Sequence, residues 1–139
     1  MGIEAAGDWA EGLAAVLLTE EQIQARVAEL ATEIAADYAG QHPLLIGVLK
    51  GSVVFLSDLM RQLHFPLEID FICCASYGQS ATSSGELELL KVPGCALSGR
   101  HILVVEDIVD TGLTLAKLVA MLQQHEPASL RVCCLLSKP

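Results

Sequence analysis

Long apolar runs are missing from this chain. None approaches the roughly 18 consecutive apolar residues that a membrane-spanning helix needs, although 53% of the residues are hydrophobic and mean hydropathy is +0.50. Positive charge is also scarce: eight Lys and Arg stand against 17 Asp and Glu, giving a formal net charge of −9, and the basic residues form no block. Nucleic acid is bound through clustered Lys and Arg, so it is disfavoured as a partner. Gly12 to Leu18 has the polarity of a signal core, but Glu4, Asp8 and Glu11 precede it where a secretory leader carries positive charge. Position 6 holds Ala6 where a myristoylation signal after Gly2 requires Ser or Thr. The cytoplasm is the expected compartment. Cys73, Cys74, Cys95, Cys133 and Cys134 match no zinc spacing, and their odd number argues for reduced thiols. They read as apolar filler, with a redox or metal role as the alternative.

Several phosphate and nucleophile signatures are absent too. No Gly-x-Gly occurs, and Lys50 precedes Gly51 where a P-loop would place the lysine after the glycine. Ser52, Ser57 and Ser98 lie in no nucleophile elbow. His42, His64, His101 and His125 are scattered, without the spacing of a metal site or triad.

The apolar surplus that remains argues against disorder and for strands buried on both faces, as in a parallel sheet. With 139 residues the chain suits one domain. Thr19-Glu20-Glu21-Gln22 reads as a capping box, followed by Ile23, Val27, Leu30, Ile34 and Tyr38 on one helical face. Leu44 to Leu49 is a short apolar strand, and Gly51-Ser52 turns the chain into a helix striped by Phe55, Leu56, Leu59, Met60 and Leu63. Leu67 to Ala75 reads as a strand, 78–85 as a polar mobile loop, and Glu86 to Val92 as an antiparallel strand returning from it. A strand over Ile102 to Val105, a helix ending near His125 and a strand over Leu130 to Leu136 complete an α/β fold with a mostly parallel sheet.

The most informative stretch is Val104 to Thr114, where a buried strand meets a helix through a turn holding three carboxylates, two hydroxyls and a glycine. Open α/β sheets bind ligands at the carboxyl ends of their strands. Backbone amides of Thr111 to Thr114 would open the helix and face an anion, favoured by the helix dipole. The economical reading is a cradle for one phosphate with acids beside it. Taken alone, Glu106 and Asp107 also read as a capped or salt-bridged pair, and Asp110 as an ordinary helix N-cap. Three acids around one turn nevertheless repel unless a cation or hydroxyl donors lie among them.

Glu106-Asp107-Ile108-Val109-Asp110-Thr111-Gly112-Leu113-Thr114 after an apolar strand resembles the phosphoribosyl-pyrophosphate loop of the purine phosphoribosyltransferases, the bacterial hypoxanthine(-guanine) type above all. The resemblance extends through Gly47-Val48-Leu49-Lys50-Gly51, Asp70-Phe71-Ile72, Ser76-Tyr77-Gly78 and Leu135-Leu136-Ser137-Lys138-Pro139, from about Leu17 onward. It implies a single domain over 1–139 with the type I phosphoribosyltransferase fold, in which 1–16 is a variable extension. Family members continue past the counterpart of Pro139, so the chain is expected to be C-terminally truncated, without the last strand and the hood part that reads the base.

The resemblance also implies an activity: Mg²⁺-dependent transfer of a 5-phosphoribosyl group from phosphoribosyl pyrophosphate to hypoxanthine, and guanine, in purine salvage. In that reading Glu106 and Asp107 hold the ribose hydroxyls, directly or through Mg²⁺, a hard cation that prefers oxygen ligands. Thr111, Gly112, Leu113 and Thr114 hold the 5′-phosphate, and Asp110 is the acid/base residue beside the purine's N7. Lys50 and Gly51 contact pyrophosphate, while Ser76 and Tyr77 open a loop that closes over the site. A homo-oligomer is implied as well. Two rivals stand beside this reading: a catalytically weak fragment that binds only the ribose phosphate, and a regulatory phosphoribosyltransferase-like module that binds nucleotide.

Overall fold

The computed structural model describes residues 14–76 and 87–139. The elements run α1 (Glu20–Tyr38), β1 (Leu44–Leu49), α2 (Val53–Arg61), β2 (Glu68–Ser76), β3 (Leu87–Lys91), β4 (His101–Val109), α3 (Leu113–Gln123) and β5 (Ser129–Ser137). The capping box forms as the sequence predicts: the Gln22 amide donates to Thr19 Oγ1 at 3.2 Å, and the Thr19 amide donates to Gln22 Oε1 at 2.8 Å.

The five strands lie in the order β3-β2-β1-β4-β5. All neighbours are parallel except β2 and β3, which form the expected antiparallel pair. After β2 the chain returns to the other side of β1, so the direction of winding reverses between β1 and β4. A crevice opens at such a reversal, outside the carboxyl ends of the two strands, and ligands of open α/β sheets bind there.

Alternation along the strands builds two cores. Leu45, Leu103, Val105 and Cys133 face α1 and α2, where they meet Val27, Leu30, Ile34, Phe55, Leu56 and Leu59. Leu44, Ile46, Val48, Ile102 and Val104 face the other way, against Leu118 and Leu122 of α3. The sheet is thus covered on both faces, which explains the apolar runs Leu44–Leu49 of β1 and Ile102–Val105 of β4. Of the cysteines, Cys133 is buried while Cys73, Cys74, Cys95 and Cys134 are half-buried, all with free thiols. Two expectations need correction. Met60 is 40% exposed and not part of the core stripe of α2, because that helix ends at Arg61 and its inner face is completed by Leu59 and, beyond the helix, Leu63. The strand read as Ile102 to Val105 runs on to Val109, because Glu106, Ile108 and Val109 still pair with Cys134, Leu136 and Ser137 of β5. No helix among the described residues is long and apolar enough to cross a membrane.

Gly47 shows how tightly the α2 face is packed. A Cβ there would lie 2.8 Å from Leu56 Cδ2 and 3.1 Å from the Phe71 ring. Gly47→Ala is therefore expected to lower unfolding free energy by about 1–3 kcal/mol, the usual range for overpacking, as read from urea denaturation. An unchanged midpoint would show that Leu56 yields without loss.

Candidate functional site

The crevice is built from the ends of β1 and β4. The alternation that points Val104 to α3 and Val105 to α1 and α2 continues into Glu106 and Asp107. Glu106 and Asp107 accordingly line different cavities, while their carboxyls stay close enough to interact. Glu106 lines a cavity of about 180 Å³ together with Ile108, Val109, Asp110, Thr111, Gly112, Thr114 and Leu115. Asp107 lies against the turn after β1: a Cβ on Gly51 would fall 2.7 Å from Asp107 Oδ2 and 3.0 Å from Oδ1. Only a glycine lets that backbone approach the carboxylate so closely.

The turn beyond β4 ends at Gly112, the N-cap of α3, whose φ of 82° and ψ of −2° lie in the left-handed region. Glycine adopts this conformation without the penalty a Cβ would bring. Asp110 therefore does not cap the helix, which removes the ordinary reading of that carboxylate. Its side chain is 66% exposed, at the cavity. The Leu113 amide donates to Thr111 Oγ1 at 3.3 Å. Helix geometry instead leaves the amides of Thr114 and Leu115 without an intrahelical acceptor, and both residues line the cavity. Leu113 itself is 66% exposed and is not among the residues lining it.

Glu106 is the most perturbed acid of the site. Burial, reinforced by the neighbouring Asp107 carboxyl, pushes its pKa up to about 7, and the Asp107 amide that donates to Glu106 Oε1 at 3.1 Å offsets only part of this. A carboxylate kept near neutrality in a cleft has the character of a group awaiting a hydroxyl donor or a cation. No cluster of three His, Cys, Asp or Glu able to enclose a metal occurs among the described residues. A pair of carboxylates with open space around it does suit Mg²⁺, which retains several waters and takes its remaining ligands from substrate oxygens.

Sequence reasoning assigned no role to Lys138. The parallel register of β4 and β5 brings it to Asp110, with Nζ 3.4 Å from Oδ2, and its amide donates to the Val109 carbonyl at 2.9 Å. A cation is thus supplied beside the acid from within this chain. Lys50 is exposed at the turn after β1, and the Leu49–Lys50 peptide is cis. Ser76 ends β2 opposite Leu87. Tyr77, the loop 78–85 and Glu86 lie outside the described residues, as do residues 1–13.

Gly51→Ala tests the contact with Asp107. The added methyl displaces the carboxylate; if this turn holds pyrophosphate, as the resemblance implies, that affinity is expected to fall about tenfold, the scale of one hydrogen bond to a charged group, with the melting temperature little changed. Titration calorimetry with Mg²⁺ and inorganic pyrophosphate measures it; undiminished affinity would separate Asp107 from the turn.

A doubly covered, mostly parallel sheet with an acid-lined cavity at its switch point places the chain among the open α/β proteins that bind ligands at such a crevice. Comparison makes the class specific: the sequence profile of the phosphoribosyl transferase domain matches residues 16–139, and the chain belongs to that family. It is 50% identical to a hypoxanthine-guanine phosphoribosyltransferase of Mycobacterium avium, over 89% of this chain and 64% of that protein. It is 44% identical to the hypoxanthine-guanine phosphoribosyltransferase of Bacillus subtilis, over 89% of this chain and 69% of that protein. The crystal structure of a hypoxanthine phosphoribosyltransferase from Staphylococcus aureus superposes with a TM-score of 0.92 at 38% identity, covering 98% of this chain and 74% of that one. The fold is the type I phosphoribosyltransferase fold. The chain spans slightly less than two thirds of the length of the mycobacterial relative.

Proposed function

We propose that this protein transfers a 5-phosphoribosyl group from phosphoribosyl pyrophosphate to hypoxanthine, and to guanine, forming a nucleotide and releasing pyrophosphate. The observation that carries the reading is the cavity of about 180 Å³ at the end of β4, lined by Glu106, Asp110, Thr111 and the first residues of α3. Relatives named for this activity at 44% and 50% identity support the choice of base.

The chemistry follows from the placement of charge. Transfer separates positive charge at the anomeric carbon from negative charge on the departing diphosphate. The two α3 amides, the Thr111 and Thr114 hydroxyls and the helix dipole suit a 5′-phosphate. Glu106 receives ribose hydroxyl protons as hydrogen bonds, and Asp107 faces the Gly51 turn where the diphosphate leaves. Asp110 takes the proton from the attacking base or offsets the charge on it. Glu106 and Asp107 would hold Mg²⁺, whose chemistry is to neutralise diphosphate charge. Positioning and electrostatic complementarity provide the catalysis. We assign the working form to a cytoplasmic homo-oligomer.

The deciding experiment is a spectrophotometric assay of the protein with phosphoribosyl pyrophosphate, Mg²⁺ and each of hypoxanthine, guanine and xanthine. Nucleotide formation with hypoxanthine is expected. Binding of the sugar phosphate without turnover on any base would reduce the protein to a half-site, and absence of both would end the proposal.

A further inference from the structure

The turn between β1 and α2 contains a hydroxyl with no task. Ser52 is 0% exposed, the one buried polar residue among those described, and its Oγ has no hydrogen-bond partner. It occupies the N-cap position of α2, where a serine ordinarily accepts from the second or third amide of the helix. It makes no such bond, because its backbone is helical, with φ −75° and ψ −7°. The same chain shows the working arrangement at α1: Thr19 is extended, with φ −83° and ψ 162°, and its hydroxyl accepts from the Gln22 amide. An uncapped helix end and a buried, unpartnered hydroxyl therefore occur at one residue, directly after Lys50 and Gly51. Upstream of the helix the turn is held by two long backbone bonds, Ser52 amide to Val48 carbonyl at 3.3 Å and Val53 amide to Lys50 carbonyl at 3.2 Å, while the Ser52 carbonyl accepts from the Leu56 amide at 2.8 Å.

We propose that Ser52 is a positioning residue for the leaving diphosphate, an inference that rests on the reading of Lys50 and Gly51 as the pyrophosphate turn. When the turn takes up the diphosphate, residue 52 passes from the helical to the extended region. Its hydroxyl then accepts from the amide of Phe55, the third residue of α2. The bond formed offsets part of the loss of the two long backbone bonds, the diphosphate takes up the amides they release, and a hydroxyl buried without a partner gains one. Ser52 touches no reacting atom; it acts through the turn, favouring the liganded form over the free one.

The proposal makes opposite demands on the two states. Ser52→Ala removes a hydroxyl that makes no bond in the free protein, so its melting temperature is expected to hold or rise. The same substitution removes the cap of the liganded form, so affinity for Mg²⁺ with inorganic pyrophosphate is expected to fall about fivefold, the factor a typical serine cap is worth. Ribose 5-phosphate, bound at the other turn, keeps its affinity. In the parent protein, pyrophosphate slows hydrogen exchange of the Phe55 amide, and in Ser52→Ala it does not. Ser52→Gly, which retains much of the N-cap preference, is expected to lose less affinity than Ser52→Ala. A variant that melts lower but binds pyrophosphate as the parent does would make Ser52 a packing residue and overturn the proposal. Equal affinity together with unchanged Phe55 exchange would do the same. A parent protein that binds ribose 5-phosphate but no pyrophosphate would instead overturn the assignment of the Lys50–Gly51 turn, and this inference with it.

Discussion

Asn in place of Asp110 is expected to lower turnover with hypoxanthine by about 10²–10⁴-fold, the range a positioned acid/base group contributes, while phosphoribosyl pyrophosphate binds with nearly parental affinity. The asymmetry follows from where the side chain stands. Asp110 is at the rim of the cavity, 66% exposed, and neither caps α3 nor takes part in either core. Its one partner among the described residues is Lys138, at 3.4 Å with the lysine side chain 56% exposed. An ion pair so open to solvent is worth little to stability, in the range of about 0–1 kcal/mol. Asn therefore preserves shape and fold and removes only the capacity to take a proton or to balance positive charge on the base. Steady-state kinetics combined with calorimetric titration separates the two effects. Equal turnover in mutant and parent would take Asp110 out of the mechanism; a parallel loss of sugar-phosphate binding would make it a structural member of the cradle.

Much of this arrangement was legible in the residues, and the reasons differ by element. The capping box at Thr19, the apolar runs of β1 and β4 and the helical spacing in α1 are local patterns, and the structure follows them. The acid-rich turn stood out because three carboxylates near two hydroxyls have no packing use. The end of β4 was not legible: Glu106 and Asp107 break the apolar run, and only pairing with β5 carries the strand through them. The division of labour between these two acids follows from strand alternation. Which turn each one meets depends on β1 and β4 being neighbours, a fact of topology. Lys138 lies 28 residues from Asp110, and nothing local signals their encounter. Ser52 looked like any turn serine until its burial and lack of a partner were seen together.

The pH dependence of binding is expected to centre on Glu106, and the sign can be followed through both folding and ligation. Burial and the Asp107 carboxyl raise its pKa from 4.5 to about 7 in the folded, ligand-free protein. The folded chain therefore holds this proton more firmly than the unfolded chain does. The associated stability is fully present below the unfolded value of 4.5 and is lost as pH rises through about 7. Ribose hydroxyls donate to the ionised form, so binding expels the proton. Affinity for phosphoribosyl pyrophosphate should then rise by up to about tenfold per unit of pH as the solution approaches neutrality, and level off above it. Glu106→Gln removes both trends: its melting temperature is flatter between pH 5 and pH 8, roughly the window of the shift, and its binding retains only the titration of the ligand's own phosphates. Parallel titrations of parent and variant, with proton release measured in two buffers of different ionisation enthalpy, test this directly. Identical pH slopes for the two proteins would show that Glu106 does not change its protonation on binding.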